Sequence, residues 1–231
     1  MEQPISRYLD AAVLYPELER DAARQAIKTV IDYDCRTVCI RPCDIDIAAE
    51  LCSGTSTDLC VVLGFPHGCG LSRVKTLEAE AYVEGGAAEI DMVVNYGFVR
   101  SAAWDLVRDD IRAVTKVARP SNIVTKVILE TSELTPEQIA TATRCAIEAQ
   151  ADYVKTSTGF AGGGATVEAV RIMLDAARGR IKVKASGGIR DFVQAQTYID
   201  MGVERLGVGY TSLAPICEGG GHADSTAETN Y

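Results

Sequence analysis

The sequence predicts one α/β domain of the (β/α)8 barrel (TIM barrel) class. Short runs rich in valine and isoleucine alternate with amphipathic segments along the 231 residues, and no linker divides them. Eight of these runs have the length and apolarity of buried strands. Eight strands that alternate with helices in this way are typical of a (β/α)8 barrel, and a doubly wound open sheet is the alternative.

The strand and helix candidates follow one another at regular intervals. We predict strands at residues 8–13, 37–40, 60–64, 88–94, 123–130, 152–157, 181–186 and 204–209. Apolar residues recur at helical spacing in residues 18–34, 72–83, 102–117, 166–177 and 191–201. A further helix is predicted to begin at Thr135, which can cap it, because Pro136 suits the first turn and Gln138 completes a capping box.

The barrel is expected to occupy residues 1–217. The remaining segment, residues 218–231, is rich in glycine, serine, threonine and aspartate, a composition typical of a flexible tail. It ends on one aromatic residue, Tyr231.

Charge and composition exclude several kinds of partner. The net charge is −9 and the pI is about 4.8, which argues against nucleic acid and anionic membranes because both require a basic surface. The chain has no apolar stretch long enough for a transmembrane helix and no signal pattern at its N-terminus, so a cytoplasmic protein is expected. The eight cysteines lie mostly in apolar runs, are expected to be reduced and largely buried, and lack metal-ligand spacing.

Three charged residues interrupt apolar strand patterns, where exposure to solvent does not explain them. Asp91 lies in EIDMVV, Lys155 in YVKTSTGF and Lys184 in IKVKASGG, each at or near the C-terminal end of its strand. In a (β/α)8 barrel that end is the active-site face. A structural ion pair would account for Asp91 and one lysine, but it would leave the other lysine as an unbalanced buried charge.

The second lysine favours a catalytic interpretation. Two ammonium groups about 4 Å apart repel by roughly 4 kcal/mol at an effective dielectric constant near 20, enough to lower the pKa of one lysine to about 7 to 8. A partly neutral lysine can attack a carbonyl carbon and form an imine. Asp91 could then relay protons. This is class I aldolase chemistry, which needs no metal or other cofactor.

Glycine-rich loops follow the last three strand candidates. They lie at residues 162–164, 187–188 and 207–209. Glycine lets backbone N–H groups approach an anion closely, and the loops after strands seven and eight often bind phosphate in this architecture. Residues 186–190 also lead into a helix whose N-terminus could hold a phosphate without a basic side chain. Tight turns alone are the alternative explanation for these glycines.

These segments together resemble the deoxyribose-phosphate aldolase family over most of the chain. VKTSTGF at 154–160 is similar to the family's Schiff-base strand, VKASGGIR at 183–190 to its second-lysine strand, and EIDMVVN at 89–95 to its proton-relay strand. VVLGFPHG at 61–68, KVILET at 126–131 and TVCIRP at 37–42 are similar to other family segments. The family is a (β/α)8 barrel, commonly a homodimer, that interconverts 2-deoxyribose 5-phosphate with acetaldehyde and glyceraldehyde 3-phosphate.

The resemblance implies a role for each matched residue. Lys155 would be the nucleophile, and Lys184 would favour its neutral form. Asp91 would relay protons. A tail ending in tyrosine also occurs in the family, where the phenol can enter the site, so Tyr231 would assist protonation of an enamine. The substrates would be small aldehydes and sugar phosphates, and the implied substrate or phosphate contacts are Asp10, Cys39, Thr156, Gly159, Ser186, Gly187, Gly188, Gly207 and Gly209.

Two departures from the family pattern concern these contacts. The family's first strand usually reads Asp-x-Thr, but Ala12 supplies no hydroxyl here. After the eighth strand the family usually has Gly-x-Ser-Ser, whereas this chain has Gly209 and then the bulky Tyr210. Because each lost neutral hydrogen bond costs about 1 kcal/mol, we expect weakened or altered phosphate recognition.

Two other functions remain open at this point. One is an imine-forming barrel aldolase that prefers a non-phosphorylated or different aldehyde, and the other is a catalytically reduced barrel that only binds sugar phosphates. Lys126 and Glu130 share one face of the fifth strand and are expected to form a supporting ion pair beside the site.

Overall fold

Eight strands lie within residues 3–222, the part of the chain that this computed structural model describes. They are β1 (Leu9–Val13), β2 (Thr37–Ile40), β3 (Asp58–Leu63), β4 (Glu89–Val93), β5 (Val124–Ile128), β6 (Tyr153–Lys155), β7 (Lys182–Ser186) and β8 (Arg205–Gly209). Each pairs in parallel with its neighbours in sequence, and β1 pairs with β8 to close the sheet. This closure confirms the predicted (β/α)8 barrel and excludes the open-sheet alternative.

Helices follow the strands and surround the barrel. Those of residues 3–222 are α1 (Arg20–Asp32), α2 (Ile45–Cys52), α3 (Ser72–Glu84), α4 (Tyr96–Arg100), α5 (Trp104–Ala118), α6 (Pro136–Glu148), α7 (Val167–Ala177), α8 (Phe192–Asp200) and α9 (Leu213–Cys217). The capping box at α6 is confirmed, because the Thr135 hydroxyl accepts from the Gln138 N–H at 3.3 Å and Gln138 Oε1 accepts from the Thr135 N–H at 2.9 Å. We did not predict α2, α4 or α9, which are too short for clear apolar periodicity.

Strand alternation separates an apolar outer layer from a charged interior. On β4, Ile90 and Met92 join the apolar cluster between the sheet and the helices, whereas Glu89 and Asp91 form ion pairs with side chains of other strands. On β7, Lys184 points inward in the same way. Because successive side chains of a strand point to opposite faces, the main apolar core lies outside the barrel and the charged residues lie within it.

A buried ion pair fastens two helices to this barrel. Lys75 on α3 donates to the Asp110 carboxylate on α5 at 2.6 Å and to the backbone carbonyl of Val93 at 2.9 Å. Ser72 donates to the same carboxylate at 2.7 Å. Both charged side chains are 1% exposed, so the pair joins α3, α5 and the end of β4 inside the apolar layer.

The chain continues to pack on the barrel after α9 ends. The Tyr33 hydroxyl donates to the Glu218 carboxylate at 2.6 Å, and a 3-10 turn covers Gly219–His222. These residues belong to the segment predicted as a flexible tail, so the packed region extends beyond the predicted boundary at residue 217. Tyr231 lies outside the described residues, as do residues 1–2 and 223–230. Among residues 3–222, no helix combines bilayer-spanning length with sufficient apolar character.

Candidate active site

The carboxylate of Asp91 joins three lysines inside the barrel. Its Oδ2 accepts hydrogen bonds from the Nζ atoms of Lys155 and Lys184, both at 2.8 Å, and its Oδ1 accepts one from Lys126 at 2.7 Å. All four side chains are buried. The structure therefore brings the predicted Asp91, Lys155 and Lys184 together, with the two lysines on one shared oxygen atom. Asp91 and Lys184 lie at the middle of their strands, and Lys155 is the last residue of β6.

Further charged residues lie closer to the N-terminal ends of the strands. Asp10 accepts from Lys184 at 2.6 Å and from Arg205 at 2.6 Å, and Glu89 accepts from Arg205 at 2.9 Å. Lys126 also bonds to Glu89. Among the described residues this network contains four basic and three acidic side chains, which leaves one excess positive charge when all are ionised.

The network determines the charge of its members. Burial opposes ionisation of Asp91, but the three surrounding lysines outweigh it and hold the pKa of that carboxyl well below its usual range. The pKa of Asp10 is lowered in the same way, against burial, by Lys184, Lys126 and Arg205. Burial also opposes the charge of Lys184, yet the Asp10 and Asp91 carboxylates raise its pKa above the ordinary value. Lys184 therefore remains protonated at neutral pH.

Lys155 differs from the other basic residues of the network in its surroundings. Within residues 3–222 its ion pair is with Asp91 alone, whereas Lys184 and Arg205 each pair with two carboxylates. Lys155 and Lys184 both line a cavity of about 450 Å³ at the C-terminal ends of the strands. The difference between the two lysines is therefore the number of carboxylate partners and not access to the cavity.

Most of the residues predicted to contact the substrate line this cavity. Those that line it are Asp10, Cys39, Gly159, Ser186, Gly187, Gly188, Gly207 and Gly209. Thr156 differs from the expectation, because its hydroxyl donates to the Ser186 carbonyl at 2.8 Å and accepts from the Ser186 N–H at 2.9 Å. It fastens β6 to β7 and does not line the cavity.

Glycine is required at this wall for two physical reasons. A Cβ built at Gly207 would lie 2.4 Å from Oγ of Ser186, closer than atoms can approach. Gly187 and Gly188 have φ values of 90° and 80°, in the left-handed region that favours glycine. Backbone atoms rather than side chains therefore form much of this wall.

The N-terminus of α8 is less open than the sequence suggests. The Asp191 carboxylate caps it by accepting from the Gln194 N–H at 2.9 Å, and Gln194 Oε1 accepts from the Arg190 N–H at 2.8 Å. A carboxylate at this position disfavours a second anion there. Arg190, Thr211 and residues 187–188 line the cavity near this helix end, and the position of the phosphate stays a prediction.

The two departures from the family pattern face each other. Ala12 on β1 pairs in register with Gly209 on β8, and both line the cavity without a hydroxyl. A Cβ built at Gly209 would lie 3.6 Å from Oγ1 of Thr211, so the Thr211 hydroxyl lies beside the position of the missing serine side chain. Tyr210 packs edge to face against Tyr15, with ring centroids 6.5 Å apart, and does not line the cavity. The expectation that the Tyr210 side chain adds bulk to the site is therefore wrong.

The predicted ion pair between Lys126 and Glu130 is also wrong. Lys126 turns towards Asp91, and the chain leaves β5 before it reaches Glu130, whose φ is 56°. Strand alternation no longer applies at that point. Glu130 instead accepts hydrogen bonds from the N–H and the hydroxyl of Thr158.

Three residues of the network were not singled out from the sequence, although alternation contained the signal. Glu89 lies two residues before Asp91, and Arg205 lies two residues before Gly207, so each shares the inward face of its strand. Cys60 on β3 donates its S–H to Oδ1 of Asp91 at 3.2 Å. The pair formed by Glu89 and Arg205 is hard to see in the sequence because it joins β4 to β8, 116 residues apart in the chain.

Cys39, Cys60 and Asp91 are the described side chains that could together hold a metal ion, since their ligand atoms lie within 4.8 Å of one another. Three ammonium groups already bond to the Asp91 carboxylate, and their positive charge opposes a further cation. This group does not suit a metal ion, and the expectation of no cofactor stays a prediction.

The sequence is similar to those of known aldolases. A model of the DeoC/LacD family of aldolases matches residues 9–213. The chain belongs to the DeoC/LacD aldolase family. A deoxyribose-phosphate aldolase of Geobacillus sp. (strain WCH70) is 40% identical to this aldolase over 231 residues, 100% of both chains. One from Clostridium perfringens (strain SM101 / Type A) is 38% identical over 218 residues, 94% of this chain and 96% of the relative.

Solved structures agree with the barrel of this aldolase. A protein described as "QR15, an Aldolase" superposes with a TM-score of 0.87 at 38% identity, covering 93% of this chain and 95% of the other. The deoxyribose phosphate aldolase of Aeropyrum pernix, described as tetrameric, has a TM-score of 0.86 at 28% identity and covers 94% and 91%. This DeoC/LacD family member is therefore a lyase with the barrel fold of known aldolases.

Proposed function

We propose that this aldolase forms an imine on Lys155 and reversibly cleaves 2-deoxyribose 5-phosphate to acetaldehyde and glyceraldehyde 3-phosphate. The observation that carries the proposal is the shared Oδ2 of Asp91, 2.8 Å from the amines of both Lys155 and Lys184. The Geobacillus and Clostridium relatives named deoxyribose-phosphate aldolase support the choice of substrate.

Lys155 is the proposed nucleophile because, among the described residues, its amine pairs with one carboxylate whereas that of Lys184 pairs with two, and because it has a route for its proton. That amine donates to the Asp91 oxygen that also accepts from Lys184, so one carboxylate connects the two amines. The charge of Lys184 opposes a second positive charge beside it. The neutral amine attacks the aldehyde carbon to give a carbinolamine, and loss of water gives the imine.

The imine then accepts the electrons of the bond that breaks. The Asp91 carboxylate, acting through water, removes the proton of the C3 hydroxyl beside the positive charge of Lys184, and C3 becomes a carbonyl carbon. The electron pair of the C2–C3 bond moves to form an enamine, and glyceraldehyde 3-phosphate leaves. Protonation of the enamine carbon and addition of water release acetaldehyde and return Lys155 to its amine form.

Tyr231 is proposed to assist protonation of the enamine. Tyr231→Phe removes only the phenol hydroxyl, so imine formation on Lys155 should persist. Exchange of the acetaldehyde methyl hydrogens in D2O, followed by NMR, should slow. An unchanged exchange rate would remove Tyr231 from the mechanism.

The phosphate is proposed to bind between the loops after β7 and β8. Arg190 supplies positive charge at the cavity, Ser186 and Thr211 supply hydroxyls, and residues 187–188 offer backbone N–H groups. Asp10 and Cys39 also line the cavity, Asp10 in contact with Lys184, and Gly159 lies in the loop that follows Lys155.

A second candidate function is the same imine chemistry on a non-phosphorylated aldehyde. It is favoured by the missing hydroxyls at Ala12 and Gly209 and by the Asp191 carboxylate at the end of α8. Rates with 2-deoxyribose and 2-deoxyribose 5-phosphate, measured side by side, distinguish the two. A strong preference for the phosphorylated sugar would exclude the second candidate.

Borohydride trapping tests the imine directly. Incubation with acetaldehyde and borohydride should attach one ethyl group to Lys155, located by peptide mass mapping. Lys155→Met should show no adduct and no turnover. Lys182→Met is the matched control, because Lys182 lies on the neighbouring strand with 56% of its side chain exposed and should leave trapping unchanged. Absence of an adduct in the unmodified protein would instead indicate a barrel that binds sugar phosphates without turnover.

We also propose that the protein is cytoplasmic and forms a homodimer. Leu71, Val74 and Leu77 are spaced by three residues at the start of α3 and are 60%, 44% and 62% exposed, which offers an apolar surface to a second copy. Light scattering after size-exclusion chromatography should give twice the chain mass, and Leu77→Lys should reduce it. A mass four times that of the chain would replace the dimer with a tetramer.

A further inference from the structure

Two cysteines face each other inside the barrel, one strand apart. Cys39 on β2 and Cys60 on β3 are register partners, and their sulfur atoms lie within 4.8 Å. Neighbouring strands are about 4.8 Å apart, and disulfides join Cα atoms separated by about 4.4–6.8 Å. The backbone spacing of β2 and β3 therefore permits a disulfide without separation of the strands.

The two thiols differ in access and in bonding. Cys39 lines the active-site cavity, whereas Cys60 is fully buried and donates its S–H to Oδ1 of Asp91 at 3.2 Å. A hydrogen bond with Cys60 lowers the pKa of Cys39, with help from Lys155 and Lys184, although burial opposes the shift. Burial and the hydrogen bond with Cys39 raise the pKa of Cys60. A small oxidant in the cavity therefore contacts the Cys39 thiol, the more reactive of the two, before it can reach the buried Cys60 thiol.

We propose that Cys39 and Cys60 form a reversible thiol–disulfide switch that a hydroperoxide closes and a dithiol opens, and that the closed form has an inactive catalytic centre. The proposal concerns a modification site and does not depend on which aldehyde the enzyme prefers.

The chemistry needs one peroxide molecule for each disulfide. Hydrogen peroxide oxidises the Cys39 thiol to a sulfenic acid and is reduced to one water molecule. The Cys60 sulfur then attacks the Cys39 sulfur, the S–S bond forms and the S–O bond breaks. The hydroxyl group leaves as a second water molecule with the Cys60 proton. Two thiols thus lose two electrons and two protons, and a dithiol returns them.

Closure acts on the catalytic carboxylate. The sulfur atoms move from a separation of up to 4.8 Å to a bond, and Cys60 loses the proton that it donates to Asp91. The Asp91 carboxylate also orients Lys155 and Lys184. A change at Cys60 therefore alters the position of Asp91, and through Asp91 that of the nucleophile Lys155.

The test uses the full-length protein treated with limiting hydrogen peroxide. Peptide mapping without reductant should find Cys39 and Cys60 in one linked peptide pair, with two hydrogen atoms lost. Activity should fall in proportion to this species, and dithiothreitol should restore both. The matched control is Cys43→Ser/Cys69→Ser, which removes the two exposed thiols and should leave basal activity and the response to peroxide unchanged.

Cys60→Ala separates the switch from simple oxidation of Cys39. In this variant peroxide should carry Cys39 to sulfinic acid, and dithiothreitol should no longer restore activity. The wild-type peptide map does not depend on whether this variant folds. Inactivation with Cys39 and Cys60 both still reduced, or full activity in protein that contains the linked pair, would overturn the proposal.

Discussion

At the residue scale, one carboxylate inside the barrel of this aldolase accepts hydrogen bonds from three amines. Asp91 has two oxygen atoms, and Lys126, Lys155 and Lys184 donate to them. The charge of Lys184 is secured by Asp10 as well, whereas Lys155 shares its partner. We therefore propose different roles for the two lysines. Lys184, which has two carboxylate partners, keeps its proton, and Lys155 acts as the amine.

Replacement of Lys184 tests this division. Lys184→Leu removes the cation that shares Oδ2 of Asp91 with Lys155, and kcat/KM at pH 7 should fall about a hundredfold or more. Borohydride trapping of acetaldehyde on Lys155 should slow as well. Lys182→Leu, at the exposed N-terminal end of the same strand, is the control and should keep normal activity. Normal activity of Lys184→Leu at pH 7 would contradict the charge argument.

Thr211 is the residue that we expect to replace the missing serine hydroxyl near the phosphate. Thr211→Val should lower kcat/KM for 2-deoxyribose 5-phosphate by about fivefold, the effect of about 1 kcal/mol, and leave the rate with 2-deoxyribose unchanged. Adding Gly209→Ser should restore the loss, because the two side chains would occupy neighbouring positions. Thr197→Val, whose exposed hydroxyl bonds to its own helix, is the control. An equal loss with both sugars would show that Thr211 does not contact the phosphate.

At the scale of elements, the layers of the barrel are joined by a few buried polar contacts. Lys75 and Asp110 join α3 to α5, and Lys75 also bonds to the backbone where β4 ends. β4 carries Asp91, so this contact lies directly behind the strand that holds the proposed proton relay. Loss of one partner would leave an uncompensated charge inside the apolar layer.

Asp110→Ala should therefore reduce the free energy of unfolding by about 3–5 kcal/mol, measured by urea denaturation. Asp109→Ala is a matched control, because Asp109 is 64% exposed and pairs with Arg112 at 3.0 Å on the surface of the same helix. Its loss should change stability by less than about 1 kcal/mol. Equal effects of the two substitutions would mean that burial of the Lys75–Asp110 pair is unimportant.

At the scale of the whole molecule, the charged interior ties stability to pH. Asp10 and Asp91 have lowered pKa values in the folded protein, so their contribution to stability is present above the unfolded value of about 4 and is lost as the pH falls through the folded values. Lys126 and Lys184 have raised pKa values, so their contribution is present below about 10.4 and is lost as the pH rises through the folded values. The network therefore stabilises the barrel across the neutral range.

Asp10→Asn tests the acid side of this range. The variant should be less stable at pH 7, because Lys184 and Arg205 lose a carboxylate. Its free energy of unfolding should also fall less between pH 5 and pH 2 than that of the wild type, since one depressed carboxyl is gone. Asp175→Asn, at an exposed position of α7, should follow the wild-type curve. Parallel pH curves for Asp10→Asn and wild type would show that Asp10 contributes nothing to the acid dependence.

The amino-acid sequence by itself predicted the barrel, its eight strands, the capping box of α6 and the three residues Asp91, Lys155 and Lys184. These features are local, because strand and helix periods are written into consecutive residues and a charge within an apolar strand is conspicuous wherever it occurs. The glycines that line the cavity just after β7 and at the C-terminal end of β8 were also predicted from the sequence.

The tertiary structure alone decided which charges meet. Lys126 reaches Asp91 rather than Glu130, Arg205 closes the network with Asp10 and Glu89, and Cys39 lies opposite Cys60. Such pairings depend on barrel closure and on strand register, which join residues far apart in the chain. The position of Tyr210 against Tyr15 and the Asp191 cap on α8 likewise follow from packing between neighbouring elements, which a linear pattern of residues does not specify.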